Sequence, residues 1–357
     1  MDLLNEPHKQ WASRPRDQRY ESLDSLYAAV AARRMASRQV DARAAELEFI
    51  PVDGGVEVSV AKRAPVVPNN WAFGQVATRL SAPAGYLRTL KPDLVSQCLN
   101  YAVSQQNGEG IKALTFDTDG GDGPTMLSAV TSPTYGRIWD ADVVQAVQRI
   151  QAAHPAFHNP LEWGGKPSGL YASDRDVFMF LVDGGSIVNG GGERDEMHRG
   201  FYVWNSEVGS ATMGIATFLF RQVCGNHMIW GGTDAKVVKI RHTSGGPERF
   251  VQEAIPALRE YAGASAAPIE ATVKRAKAYQ LPDYSDATKV AAWLQGKGFS
   301  RAESTRAVDH ATREEGQCVT LWDCINGLTA QARELAYVDA RVDLEKRAGK
   351  LLELVAE

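Results

Sequence analysis

A chain of 357 residues with 44% hydrophobic and 23% charged positions has the balance of a folded globular protein, with apolar content for one large or two small cores. That composition excludes a wholly disordered chain. A formal net charge of −4 excludes a protein whose entire surface coats nucleic acid, because phosphate neutralisation supplies the sequence-independent part of such binding. The four cysteines, Cys98, Cys224, Cys318 and Cys324, are too sparse for a disulfide framework and suit a reducing compartment. The opening MDLLNEPHKQW lacks a basic then apolar leader, and no apolar run is long enough to cross a bilayer. Neither a signal peptide nor a membrane span is therefore expected, and a cytoplasmic location is.

In chain order, Tyr20 to Ala45 reads as a helix. Ser22 and Asp24 are candidate N-caps, Leu23, Leu26, Tyr27 and Val30 recur at helical spacing, and Arg33, Arg34, Arg38 and Arg43 form a basic stripe. Residues 46–50 and 56–60 flank Asp53-Gly54-Gly55 and predict a β-hairpin, after which Pro65, Pro68, Asn69 and Asn70 mark a linker. Trp71 to Val103 is helical by pattern, broken by a Ser-Ala-Pro-Ala-Gly turn. The spacing admits a helix-turn-helix offering Tyr86 and Arg88 to a groove; a plain helical hairpin burying Val76, Leu80, Leu87 and Leu90 is the favoured alternative.

Ile111 to Thr115 predicts a strand entering the loop Asp117–Gly123. Its carboxylates resemble the start of a calcium loop, but Ser128 stands where a bidentate Glu is needed, so a polar hairpin tip is expected. Asp140 to Ala153 predicts an amphipathic helix with Val143, Val144, Val147 and Ile150 inward. Beyond it, Pro155 between His154 and His158 argues against a helical zinc pair. Asp176 to Asp183, apolar on both faces, reads as a central strand. The glycine-rich stretch 184–200 reads as a long exposed hairpin, with no phosphate-cradling motif.

The block 199–232 is rich in β-formers and aromatics and predicts two or three more strands. Val237 to His242 adds another before a long helix opens at Pro247-Glu248-Arg249-Phe250, with Val251, Ala254, Ile255, Leu258 and Tyr261 inward. Ala287 to Glu357 is helical by pattern. The expected fold is α+β: an antiparallel meander sheet with helices packed on one face, plus a helical C-terminal region. The expected segments are 1–70, 71–110, 111–262 and 263–357.

Asn205-Ser206-x-x-Gly209, Arg221-x-Val223-Cys224-x-Asn226 and Arg241-His242-Thr243 stand out as motifs. With Tyr86-Leu87, Ser132-x-x-Tyr135, Leu321-Trp322 and Asn326-Gly327-Leu328-Thr329, they resemble the phage/plasmid-like domain-of-unknown-function family 932 across residues 10 to 350. The resemblance implies a mobile-element origin and a cytoplasmic protein; it transfers no catalytic residue.

The polar residues Asn205, Ser206, Cys224 and Asn226 sit where a structural sheet would carry apolar ones. They either pin strand register as satisfied buried groups, the favoured reading, or bind a ligand. Cys224, His227, His242 and His198 contain the elements of a nucleophile or metal site, yet 224 and 227 would point to opposite faces of a strand, which favours a structural cysteine. The expected function is that of a mobile-element accessory protein of DNA metabolism that binds single-stranded DNA and promotes annealing, without nucleotide hydrolysis, cofactor or metal. Arg221, Lys236, Lys239, Arg241 and His242 would supply a basic track, and Tyr202, Trp204 and Trp230 the stacking faces. A fold-level analogy with annealing recombinases that form rings points to a homo-oligomer. The alternatives are a metal-dependent hydrolase using Asp117, Asp119 and Asp122 or Cys224, His227 and His242, and a scaffold or anti-defence factor binding a host protein.

Overall fold

The computed structural model describes residues 14–106, 108–160, 169–187, 197–221, 227–229, 237–335 and 338–355. Helix α1 (Leu23–Ala36) starts where the sequence places it: the Ser22 hydroxyl accepts the Ser25 N–H at 3.1 Å, and the Ser25 hydroxyl accepts the Ser22 N–H at 3.3 Å. It does not run to Ala45. At Ser37 the chain becomes strand β1 (Ser37–Arg43), paired antiparallel along its whole length with β5 (Gly110–Asp117), from Ser37↔Phe116 to Arg43↔Gly110. The segment Arg-Gln-Val-Asp-Ala-Arg has no decisive local preference, and a partner strand far downstream overrides the helical pattern.

The predicted hairpin forms as β2 (Leu47–Val52) and β3 (Gly55–Val60). Part of the expected linker is itself a short strand, β4 (Val67–Pro68), running parallel to β6 (Thr125–Thr131). Asn69 then caps α2 (Asn70–Arg79) by accepting the Ala72 N–H at 2.8 Å. A single turn, α3 (Ala84–Leu87), leads to α4 (Pro92–Ser104). This is the plain helical hairpin. Val76, Leu80 and Leu87 are buried, while Arg88 folds back 5.1 Å over the Phe73 ring and donates to the Asn70 carbonyl at 2.9 Å. The first sheet has the order β1-β5-β6-β4, and its core joins Val40, Phe49, Leu99, Ile111 and Leu127. At the β5–β6 tip the Asp117 carboxylate accepts the Thr125 hydroxyl at 2.7 Å and pairs with Arg38 at 3.4 Å, as a polar hairpin tip should.

Helix α5 spans Asp140–Ala153, the predicted range. The second sheet contains seven strands among the described residues: β7 (Phe157–His158), β8 (Leu170–Ala172), β9 (Val177–Ile187), β10 (Met197–Asn205), β11 (Met213–Arg221), β12 (His227–Ile229) and β13 (Val237–Ile240). All its pairings are antiparallel. Strand periodicity sends Val177, Met179, Leu181, Phe201 and Val203 to one face, where they pack in one core with Leu26 of α1 and Val147 of α5. The other face carries Phe178, Phe180, Tyr202, Trp204 and Phe218. Every residue of β10 is buried, so the strand is apolar on both sides, as a central strand requires.

The helix after β13 consists of α6 (Gly246–Arg249), a π-helical turn (Phe250–Ala254) and α7 (Ile255–Gly263). Val251, expected inward, is 59% exposed. Val251 lies within the π turn, and of the five expected residues it alone turns outward: Ala254 and Leu258 are buried against the sheet with Phe250 and Ala262, and Ile255 and Tyr261 pack partly buried beside them. The C-terminal region is helical as predicted: α8 (Ala267–Ala278), α9 (Ala287–Gly296), α10 (Arg301–Glu315), α11 (Leu321–Arg333) and α12 (Val338–Lys350). Their core takes in Met197 and Leu219 from β10 and β11, which docks this helical layer on one end of the sheet. The architecture is α+β. Among the described residues no helix is long and apolar enough to cross a membrane.

Candidate nucleic-acid interface

The turn that follows β10 is held by polar groups on every side. Asn205 donates from its amide to the Ile138 carbonyl at 2.9 Å and to the Asp140 carboxylate at 2.7 Å. The Ser206 hydroxyl donates to the Arg175 carbonyl at 2.6 Å and accepts the Ser210 N–H at 2.9 Å. Glu207 accepts the Asp140 N–H at 3.1 Å. The Val208 carbonyl receives both the Trp71 indole N–H at 3.0 Å and the Gln75 amide at 2.8 Å. Gly209, at φ +84°, turns the chain back in a conformation that a side chain would strain. Asn205, Ser206, Glu207 and Val208 are all buried. The motif polars Asn205 and Ser206 thus bond to the protein itself, and with Glu207 and Val208 they join the two sheets.

Beside this turn, Arg137 is buried with its guanidinium 5.3 Å from the Tyr135 ring and 5.6 Å from the Trp139 ring, donating to the Glu207 carbonyl. Tyr135 donates its phenol to the Ser206 carbonyl at 3.0 Å and stacks on His242 with centroids 5.0 Å apart and planes 12° from parallel. His242 accepts the Ile138 N–H on Nδ1 at 3.4 Å. Burial pushes the His242 imidazole down to about 4, so it is neutral at physiological pH. Burial first, and the Glu207 charge second, push the Asp140 carboxyl well above the carboxylate range.

These two groups act on stability with opposite sign. His242 in the unfolded chain takes its proton near 6.5 and in the native state only near 4, so its contribution is present above pH 6.5 and lost as pH falls to 4, up to roughly 3 kcal/mol. Asp140 binds its proton more tightly when folded, so its contribution is lost as pH rises through the folded value. An Asp140→Asn variant keeps an acceptor for Asn205 and removes the second effect. It is expected to be more stable than wild type at pH 8, and to lose stability more steeply on acidification from about 6.5 to 4. Urea titrations across pH measure both; a variant destabilised at pH 8 would show that native Asp140 is ionised.

An open cleft of about 750 Å³ lies against the turn. It is lined by buried Trp204 and Phe178, by the stacked Tyr135 and His242, and by Lys239, Arg241 and Arg249, which are exposed. Arg249 already makes two bonds to Glu253, at 2.7 and 2.8 Å. Among the described residues Lys239 and Arg241 have no ionic partner, and no carboxylate lines the cleft.

Of the sequence-predicted residues, the structure brings together Lys239, Arg241, His242 and Trp204. Tyr202 departs from expectation. It is fully buried, its ring stacked between Phe180 at 5.5 Å and Trp204 at 5.3 Å, so it offers no face to a base. β13 puts Lys239 opposite Gly214, and the backbone of Arg221 ends the same strand β11 roughly 23 Å further along at the usual rise per residue; the Arg221 side chain lies outside the described residues. Lys236, Trp230, Cys224 and Asn226 lie outside the described residues, as do the side chains of His227 and Asp119. His198 is buried with Nδ1 2.9 Å from the Asp183 carbonyl, away from His242. Among the described residues no three His, Cys, Asp or Glu side chains are grouped to hold a metal ion. Sequence reasoning missed Arg249 as a cleft residue; its position in the first turn of a helix directly after a basic strand was the available signal.

The family model described as Domain of unknown function (DUF932) matches residues 129–343, more than half of the chain. This protein belongs to that family. The DUF932 match covers the whole lining of the cleft, from Tyr135 to Arg249, and the turn from Asn205 to Gly209. Tyr86 and Leu87 fall outside it. No curated protein and no solved structure matches the chain.

Proposed function

We propose that this DUF932 protein binds single-stranded DNA in the cleft beside the 205–210 turn. The observation that carries the reading is the pair of exposed cations, Lys239 and Arg241, lining a cleft together with aromatic residues and with no acidic lining among the described residues. Phosphates are attracted to the cleft by charge, and a base turned inward meets the partly buried Tyr135–His242 stack. A duplex keeps its bases inside the helix, so only an unpaired strand can use both features. The neutral His242 contributes a ring and leaves the charge to Lys239 and Arg241. The role that follows is that of an accessory protein of DNA metabolism carried by a mobile element and working in the cytoplasm. Annealing would follow if a homo-oligomer held several strand segments side by side.

The reading requires binding that falls with salt. Fluorescence anisotropy of a labelled oligothymidine and of a duplex should show preference for the single strand, with log K falling against log salt by about 0.7 per phosphate neutralised. Two cations therefore predict a slope near −1.4. No binding to either form at low salt overturns the proposal and leaves the host-protein scaffold as the reading to pursue.

A further inference from the structure

A second open cleft, of about 990 Å³, lies on the other side of the same turn. The two clefts share Tyr135 and Gly209 in their linings, so they adjoin there, with those two residues as the saddle between them. Three cations line each cleft, and Glu109 is the one carboxylate lining either among the described residues. Glu109 is already neutralised by Arg79 at 2.9 Å, and Arg88 is committed to Phe73 and the Asn70 carbonyl. Arg175 is different. It is exposed, has no ionic partner among the described residues, and lies with its guanidinium 5.2 Å over the Trp71 ring. Its backbone is fixed by the Ser206 and Ser210 hydroxyls, both donating to its carbonyl at 2.6 and 3.1 Å. In a chain of net charge −4, the two adjoining clefts thus present Lys239, Arg241 and Arg175 as cations without an ionic partner among the described residues.

Resting on the single-strand reading above, we infer that a bound strand does not end in the first cleft. It crosses the Tyr135–Gly209 saddle into the second, where Arg175 contacts a phosphate and the Arg175–Trp71 pair offers a planar surface to a further base. With one side of the guanidinium on the Trp71 ring, its other side is the planar cationic face on which an unpaired base can stack. The saddle is uncharged because Gly209 has no side chain and Tyr135 donates its hydroxyl to the Ser206 carbonyl. The pair of clefts thereby alternates charge, ring, charge, the pattern that tracks a sugar–phosphate backbone without reading sequence.

The test compares oligothymidines of about 4 and about 16 nucleotides, the ends of the range held by a single compact binding module. Wild-type protein should bind the longer one at least about tenfold more tightly, the value of one added base contact. Arg175→Glu should remove most of that advantage and lower the salt slope for the longer strand by about 0.7. Glu109→Gln should tighten binding of the longer strand, a gain that misfolding does not mimic. If the short strand binds through Lys239 and Arg241 but the longer one gains nothing and neither variant changes it, the extended track is overturned while the first cleft stands. If neither length binds at low salt, both readings fall together.

Discussion

Reversing both Lys239 and Arg241 to glutamate is expected to weaken single-strand binding by roughly 100- to 1,000-fold at low salt. A unit-charge pair near 4 Å in water is worth about 1 kcal/mol, and reversal replaces an attraction by a repulsion, so each site changes by about 2 kcal/mol. Two sites together approach about 4 kcal/mol, and each 1.4 kcal/mol is about tenfold. The loss should shrink as ionic strength rises, since the groups are exposed and screened. Their exposure also means that the folded state barely notices the change: the thermal midpoint should move by no more than a surface substitution does. Anisotropy across salt, with a melting curve on the same sample, checks both halves. Undiminished binding by the double variant would remove the first cleft from consideration.

Gly136→Ala is expected to cost about 3 kcal/mol or more, at the upper end of overpacking. A methyl group there would enter the van der Waals sphere of the Thr243 carbonyl and stand 2.9 Å from Pro247 Cδ. The neighbour is backbone, and the same two loops are tied by the Gly136 N–H donating to the His242 carbonyl at 3.1 Å. Neither loop can retreat without breaking that bond and moving Arg241, His242 and Thr243, which line the cleft. Strand affinity and stability should therefore fall together, unlike the charge reversal, which separates them. Equilibrium denaturation and anisotropy on the variant would read both; wild-type values would mean that the loops are not clamped.

Much of the fold was legible because its signals are local. The capping serine at 22, the Asp53-Gly54 turn, the amphipathic period of 140–153 and the two-sided apolar run of 177–183 each announce an element without reference to the rest of the chain. Other local readings failed. Residues 37–43 became a strand because β5 was there to pair with them, part of the expected linker became β4 against β6, and Val251 turned outward within a π turn. The distant strand partners leave no mark within the segments they recruit.

The candidate site shows the same division. Lys239, Arg241 and His242 were visible as a basic strand end, and Trp204 as part of an aromatic block. Which aromatics face the cleft was not visible, because alternation assigns Tyr202 and Trp204 to the same face and only neighbouring rings decide that Tyr202 is covered. Arg175 and Trp71, far apart in the chain, meet only because the Val208 carbonyl accepts both Trp71 and Gln75 and the Ser206 hydroxyl holds the Arg175 backbone. Sequence by itself determined the α+β class, the place of several elements and the family, since turn chemistry, hydrophobic period and motif are properties of neighbouring residues. The tertiary structure alone decided that the buried polars of the motif join two sheets and that the basic residues on either side line two adjoining clefts. Those are relations between distant segments, set by packing and by the hydrogen bonds that burial makes obligatory.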